Sequence, residues 1–288
     1  MTVEAQKLTF FEKKQVVCPV CGGKFYREEL LSGGGRLIAA ELTDELRRDY
    51  EPSKKYGDVH PLVYAVVVCP VCLFAAWPAD FPHLPEDSLH QAEVHADERR
   101  DSLALILPEL DFASPRGLRE GMASYFLAVA CYPFFDRRSN PTFKAGLAAL
   151  RAAWLLNDLH GREPGEGWDE LARSFYRSAR DHYLLTLERE QKGQEALDQS
   201  LQLGPDLDKN YGYDGVIYLA GYLDWKYGDA SDPASRVKSL EFAKRMIAKV
   251  FGMGRATKAK PSVILDKAHD VYAAIGDEID RLKAGGAG

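Results

Sequence analysis

The hexapeptide Val-Val-Cys-Pro-Val-Cys occurs twice, at residues 16–21 and 67–72, and takes four of the chain's five cysteines. Each copy sets two thiols two residues apart after a β-branched run. The turn between them aims backbone amides at the sulfurs, so one pair can chelate one ion. Two pairs supply four thiolates, the ligand set of a tetrahedral structural zinc site. Cys18, Cys21, Cys69 and Cys72 are therefore expected to bind one zinc ion and clip together a module too small to hold itself. All four positions are then filled by protein, which leaves none for a water nucleophile. Iron in a rubredoxin-like site uses the same ligands and stays open as an alternative. So does a redox dithiol, because Cys-Pro-Val-Cys matches the Cys-Pro-x-Cys of thioredoxin-type oxidoreductases. Those enzymes place one such motif within a βαβ pattern, which does not follow here, and duplication favours metal. Gly22 suits the turn after the first pair and Leu73, in the equivalent place, does not; the two knuckles are expected to differ.

A length of 288 residues allows a sizeable core, and the formal charge of −6 argues against indiscriminate nucleic-acid binding. Met1 to Lys14 lack the basic and apolar regions of a secretory signal, and no apolar run approaches the roughly 20 residues that span a bilayer. The expectation is a soluble cytoplasmic protein with no membrane partner, in which paired cysteines are metal ligands rather than disulfides. Cys131, in the apolar stretch Phe126 to Cys131, reads as a buried core thiol.

The expected fold class is mainly α. A small N-terminal β-rich zinc ribbon with rubredoxin-like knuckles, residues 1–84, precedes an α-helical tetratricopeptide-like array, residues 85–288. Three prolines between Pro78 and Pro85 mark the boundary. Before them, Gln15 to Val17 and Tyr64 to Val68 read as strands, and Arg36 to Tyr50 as a strand or short helix. After them, helices are expected over Asp87–Leu107, Arg116–Phe134 (Ser114 capping, Pro115 first), and from Pro141 to about His160. Trp168, Leu171, Phe175, Ala179, Tyr183 and Leu187 step by three or four along another. Asp214–Tyr227, Pro233–Phe251 and Ser262–Leu282 complete the set. A small residue, an aromatic four on and a small or apolar residue three further recur at Gly121/Tyr125/Ala128, Ala172/Tyr176/Ala179 and Ala268/Tyr272/Ile275. Ala243/Ile247/Val250 is an aliphatic version. Stacked helix pairs pack in this way, as do ordinary bundles.

Other constellations in the chain have plainer readings. His90, Glu93 and His95 miss the metallopeptidase spacing by one residue, and 90 and 95 face apart on a helix; they read as solvated, with His83 nearby. His60 reads as a turn residue, or else as support for the metal ligands or a fifth candidate ligand. Pro233 to Lys260 carries eight basic residues and Glu241, a charge of +7 that leaves −13 for the rest. Arg236, Lys238, Lys244 and Arg245 are candidates for docking an acidic protein or, alternatively, RNA; a solvated face is the plainer reading. Tyr176, Tyr183, Tyr218 and Tyr222 are candidate anchors for a protein or peptide in a groove across residues 140–251. No phosphate loop, dinucleotide fingerprint or Gly-x-Ser-x-Gly elbow occurs, and no catalytic set assembles.

The knuckles and helices together resemble the bacterial family called domain of unknown function 2225. The matching pieces are Cys18-Pro19-Val20-Cys21-Gly22, Asp44 to Tyr50, and His60-Pro61-Leu62-Val63-Tyr64 leading to Cys69-Pro70-Val71-Cys72. Further on, Glu120-Gly121 to Ala128, Leu150 to Trp154 and Tyr218 to Gly221 fall where the helical patterns lie. His60 stands where that family has Asn, and Leu73 where it has Gly after the second pair. The resemblance implies a cysteine metal site and a helical interaction domain, and it carries no assigned activity.

Overall fold

Short strands come first because the early sequence is β-branched and punctuated by glycine. In the computed structural model, which describes residues 7–31, 33–197, 202–252 and 262–285, β1 (Thr9–Val17) pairs antiparallel with β2 (Lys24–Leu30). The first cysteine pair forms the turn between them. The region 36–50 is neither one strand nor a helix but most of a hairpin, β3 (Ile38–Leu42) against β4 (Arg48–Glu51). Pro61 starts a 3₁₀ turn over Pro61–Tyr64, which shortens the expected second strand to β5 (Val67–Val68). β5 pairs with β6 (Ala75–Ala76) around the second cysteine pair.

Eight helices follow among the described residues: α1 (Glu86–Val94), α2 (Ala96–Ala104), α3 (Leu118–Cys131), α4 (Pro141–Arg162), α5 (Trp168–Gln191), α6 (Gly212–Tyr227), α7 (Pro233–Gly252) and α8 (Ser262–Gly285). Two boundaries differ from expectation. The helix expected over 87–107 breaks at His95, whose N–H bonds back to Gln91 while its ring approaches Glu98. The next helix starts at Leu118 because Glu120 accepts the Gly117 N–H at 2.8 Å, whereas the Ser114 hydroxyl donates to Asp111. Asn140-Pro141 opens α4 as expected, and the stripe on α5 is buried at Trp168, Phe175, Ala179, Tyr183 and Leu187, with Leu171 half-buried.

From α3 onward each helix packs against its neighbour in the chain. Small residues set how closely they approach. A Cβ built on Gly146 of α4 would lie 2.9 Å from the His182 Cβ of α5, and one on Gly221 of α6 would meet Ile247 of α7. The strand module is held in the same way: a Cβ on Gly121 of α3 would lie 2.8 Å from the Val63 Cγ2 and 3.0 Å from the Val63 Cα. The boundary expected at Pro85 coincides with the start of α1, but the buried core runs without a break from Cys18 and Val63 through Trp154 to Ile279.

Gly121→Ala is accordingly expected to cost about 1–2 kcal/mol. A gain of about 1 kcal/mol in helix propensity is outweighed by overpacking in the upper part of the usual range, about 2–3 kcal/mol, because a backbone atom cannot swing aside. Urea unfolding measures it, and an unchanged midpoint would mean that α3 and Val63 do not pack this closely.

Candidate metal centre

Each cysteine pair folds into the same tight loop. The Cys18 N–H bonds the Gly23 carbonyl (2.9 Å) and the Gly22 N–H bonds Cys18 (3.0 Å); Cys69 N–H to Phe74 (2.9 Å) and Leu73 N–H to Cys69 (2.9 Å) repeat the pattern. The backbone N–H groups of Val20 and Cys21 point at the Cys18 sulfur, and those of Val71 and Cys72 at the Cys69 sulfur. The expected difference between the knuckles at Gly22 and Leu73 is not found. Both residues are left-handed, with φ of 70° and 58°. Leucine there costs on the order of 1 kcal/mol, which is offset because Leu73 packs on the core and delivers Phe74 into it. The knuckles differ one residue later. Gly23 passes beside Val71, where a Cβ would lie 3.2 Å away, while Phe74 is fully buried against Phe81 and Phe135.

The two loops bring the four sulfurs within 4.8 Å of one another. Cys18 and Cys72 are 3.6 Å apart, as are Cys21 and Cys69. A disulfide needs about 2.05 Å. A tetrahedron of sulfurs at about 2.3 Å from a central ion has an edge of about 3.8 Å. The group therefore has the size of a metal cage and can hold a metal ion. Its acid–base behaviour points the same way. The hydrogen bond with Cys69 pushes the Cys18 thiol up to about 12, Cys18 and Cys69 push Cys72 upward, and Cys69, receiving both hydrogen bonds, is lowered to about 2. Thiolates this close repel one another, and a bound cation offsets that repulsion.

Sequence reasoning missed what holds the second knuckle. Arg99 and Arg100 of α2 donate to the carbonyls of Cys72 (3.0 Å) and Val71 (3.3 Å). Arg99 is buried, and its Nε and Nη1 have no partner among the described residues. No spacing in the chain links α2 to residue 72, so only the fold reveals the contact. Cys131 is a buried core thiol that accepts the Ala75 N–H at 3.4 Å, and burial pushes it up to about 11.

The other candidates lie elsewhere. Among the described residues the four cysteines form the one group suited to a metal ion; His83 and His90 are exposed and His95 faces Glu98. His60 sits away from the cluster, between Asp158 (3.4 Å) and Arg162 (2.8 Å). Tyr176, Tyr183, Tyr218 and Tyr222 do not offer their rings to a partner, because all four are buried. Tyr176 and Tyr218 are held by the tip of the β3–β4 hairpin, residues 43–47, which lies against α4, α5 and α6, whereas Tyr183 packs on Phe143 and Gly146 of α4. Glu45 accepts hydrogen bonds from the Trp154 Nε1–H and the Tyr176 hydroxyl (2.9 Å), and Tyr218 donates to the Asp44 carbonyl at 2.8 Å. Arg47 forks onto Asp158 at 3.0 and 2.6 Å, and Lys267 of α8 reaches Asp44 at 2.8 Å. Of the basic candidates, Arg236 is paired with Glu278 (2.7 Å) and Lys244 lies over the Tyr272 ring (4.5 Å). Lys238 and Arg245 are exposed. Arg255, Lys258 and Lys260 lie outside the described residues.

Residues 11–275 match the bacterial family described as "Uncharacterized protein conserved in bacteria (DUF2225)". The chain belongs to that family. It is also 40% identical over 278 residues to an uncharacterized protein of Borreliella burgdorferi, an alignment that covers 96% of this chain and all of the relative. No solved structure matches it. Among the described residues, no helix of this DUF2225 protein is long and apolar enough to cross a membrane.

Proposed function

We propose that this member of the family is a zinc-stabilised interaction protein: a zinc ribbon fused to a tetratricopeptide-like helical array that binds a protein or peptide. The observation that carries the zinc assignment is the tetrathiolate itself. Its 3.6 Å sulfur separations approach a zinc–sulfur tetrahedron, and four soft ligands fill every position. Such an ion is structural, and the binding role falls to the helices. Packing of each helix on the next, with Gly121/Tyr125/Ala128 and Ala172/Tyr176/Ala179 turned inward, supports a stacked array. Lys238 and Arg245, exposed on α7, favour an acidic partner.

Two measurements test this. Metal analysis of untagged protein purified without added metal is expected to give one zinc per chain; iron, or none, overturns the zinc assignment. Affinity capture from the host lysate, with and without nuclease, is expected to yield a stoichiometric protein that survives nuclease and is lost with Lys238→Glu plus Arg245→Glu. Partners that disappear with nuclease would instead make the protein an RNA-binding factor.

A further inference from the structure

The two arginines that α2 sends to the second knuckle are not equivalent. Arg100 is exposed and already paired with Asp97 while it donates to the Val71 carbonyl. Arg99 is only 3% exposed, and its Nη2 donates to the Cys72 carbonyl at 3.0 Å. Its Nε and Nη1 meet no acceptor among the described residues, so no carboxylate there bonds this guanidinium. The Cys131 thiol feels the same positive charge, yet burial pushes it up to about 11 and leaves it neutral at pH 7.

A guanidinium keeps its charge in a protein, and burying that charge without an anion is costly. Its bond to the backbone of Cys72 sets it beside the cysteine cluster. A divalent ion held by four thiolates leaves a net charge of about −2 on that cluster. This charge is also withdrawn from water, because Cys18, Cys69 and Cys72 are buried. Two buried charges of opposite sign then meet at one residue, Cys72.

We propose that Arg99 is the built-in counter-ion of the metal-loaded cysteine cluster, and that its charge, more than its hydrogen bond, sets how tightly the ion is held. Arg99 gives no hydrogen bond to a sulfur; it is a positioning residue that acts on the ligands through space and through the Cys72 backbone. Ion retention is thereby tied to the docking of α2 on the second knuckle. The inference rests on the tetrathiolate reading of the cluster.

The probe is Co²⁺, whose thiolate charge-transfer absorption reports sulfur ligation directly. Full-length protein loaded with Co²⁺ is titrated with a competing chelator. Arg99→Gln keeps a donor for the Cys72 carbonyl but no charge, and should weaken Co²⁺ binding about 10–100-fold, the usual worth of a group that supports a metal ligand. Arg99→Lys keeps the charge and should stay within about threefold of wild type. Arg100→Gln should stay within about twofold, because that charge is screened by water and by Asp97. Equal affinity of wild type and Arg99→Gln overturns the proposal, as does a loss in Arg99→Lys or Arg100→Gln as large as that in Arg99→Gln. A wild-type protein without the thiolate–cobalt band removes the tetrathiolate reading itself and this inference with it, so the two failures are told apart. If Arg99→Gln does not fold at any metal concentration, Arg99→Lys decides. A folded, metal-binding lysine variant shows that charge is what the site needs, and one lost as completely as Arg99→Gln overturns the proposal.

Discussion

Cys69→Ser is expected to release the metal and unfold the strand module. The substitution opens a four-sulfur cage, and a structural ion held there would contribute on the order of 10 kcal/mol of folding free energy, comparable to the whole stability of a typical domain. Cys69 is fully buried, and its neighbours Val67, Val68 and Phe74 belong to the core shared with the helices. Damage should therefore spread beyond the ion. Metal content and near-ultraviolet circular dichroism of the aromatic core, which includes Trp77 and Tyr132, read the two effects separately. Cys18→Ser should match it; Cys21→Ser, at the surface edge of the cage, should lose the ion with less harm to the core. A metal-free Cys69→Ser protein with an intact core would sink the structural role. Acid should act in the same direction in the wild type, because protons compete with the ion for thiolates and the metal is released as pH falls.

The second large effect is expected at Glu45. Glu45→Ala leaves the Trp154 Nε1–H without its acceptor and the Tyr176 hydroxyl without one to donate to. At about 1–3 kcal/mol for each buried orphan, the loss should be about 2–6 kcal/mol. Glu45→Gln, which keeps an acceptor, should cost much less. The pH dependence separates them further. Burial pushes the Glu45 carboxyl above its ordinary value, and the hydrogen bonds from Trp154 and Tyr176 and the Arg47 charge do not fully counter it. A raised folded value means that its contribution to stability is fully present below the unfolded pKa and is lost as pH rises through the folded one. Between pH 7 and pH 4, wild type should therefore gain stability relative to Glu45→Gln. Urea midpoints at several pH values measure the difference. An alanine variant within about 0.5 kcal/mol of wild type would mean that the hairpin tip does not dock as described.

The parts of this molecule that were legible in the sequence are those set by local spacing. Two Cys-x-x-Cys loops must form knuckles wherever they lie, and the stripe from Trp168 to Leu187 has one way to bury itself. Asn140-Pro141 is a helix start by its own stereochemistry. What stayed illegible depends on distant partners. Leu73 is a poor left-handed residue taken alone, and only the burial of Phe74 beside it reverses the balance. Tyr176 and Tyr218 look like free anchors until the hairpin tip, more than a hundred residues earlier, takes their hydroxyls. The break at His95 has no proline or glycine to announce it.

The docked hairpin tip also has a temporal meaning. Asp44 and Lys267 are 223 residues apart in the chain, and ribosomes add about 5–20 residues per second. Roughly 10–45 s of synthesis therefore separate the two ends of that contact. Through this interval Glu45 and Arg47 first gain Trp154 and Asp158, then Glu45 gains Tyr176 and Asp44 gains Tyr218, as α4, α5 and α6 emerge in turn. The strand module, made first, is finished last, so a nascent chain arrested before α4 should present the hairpin tip to solvent and to chaperones.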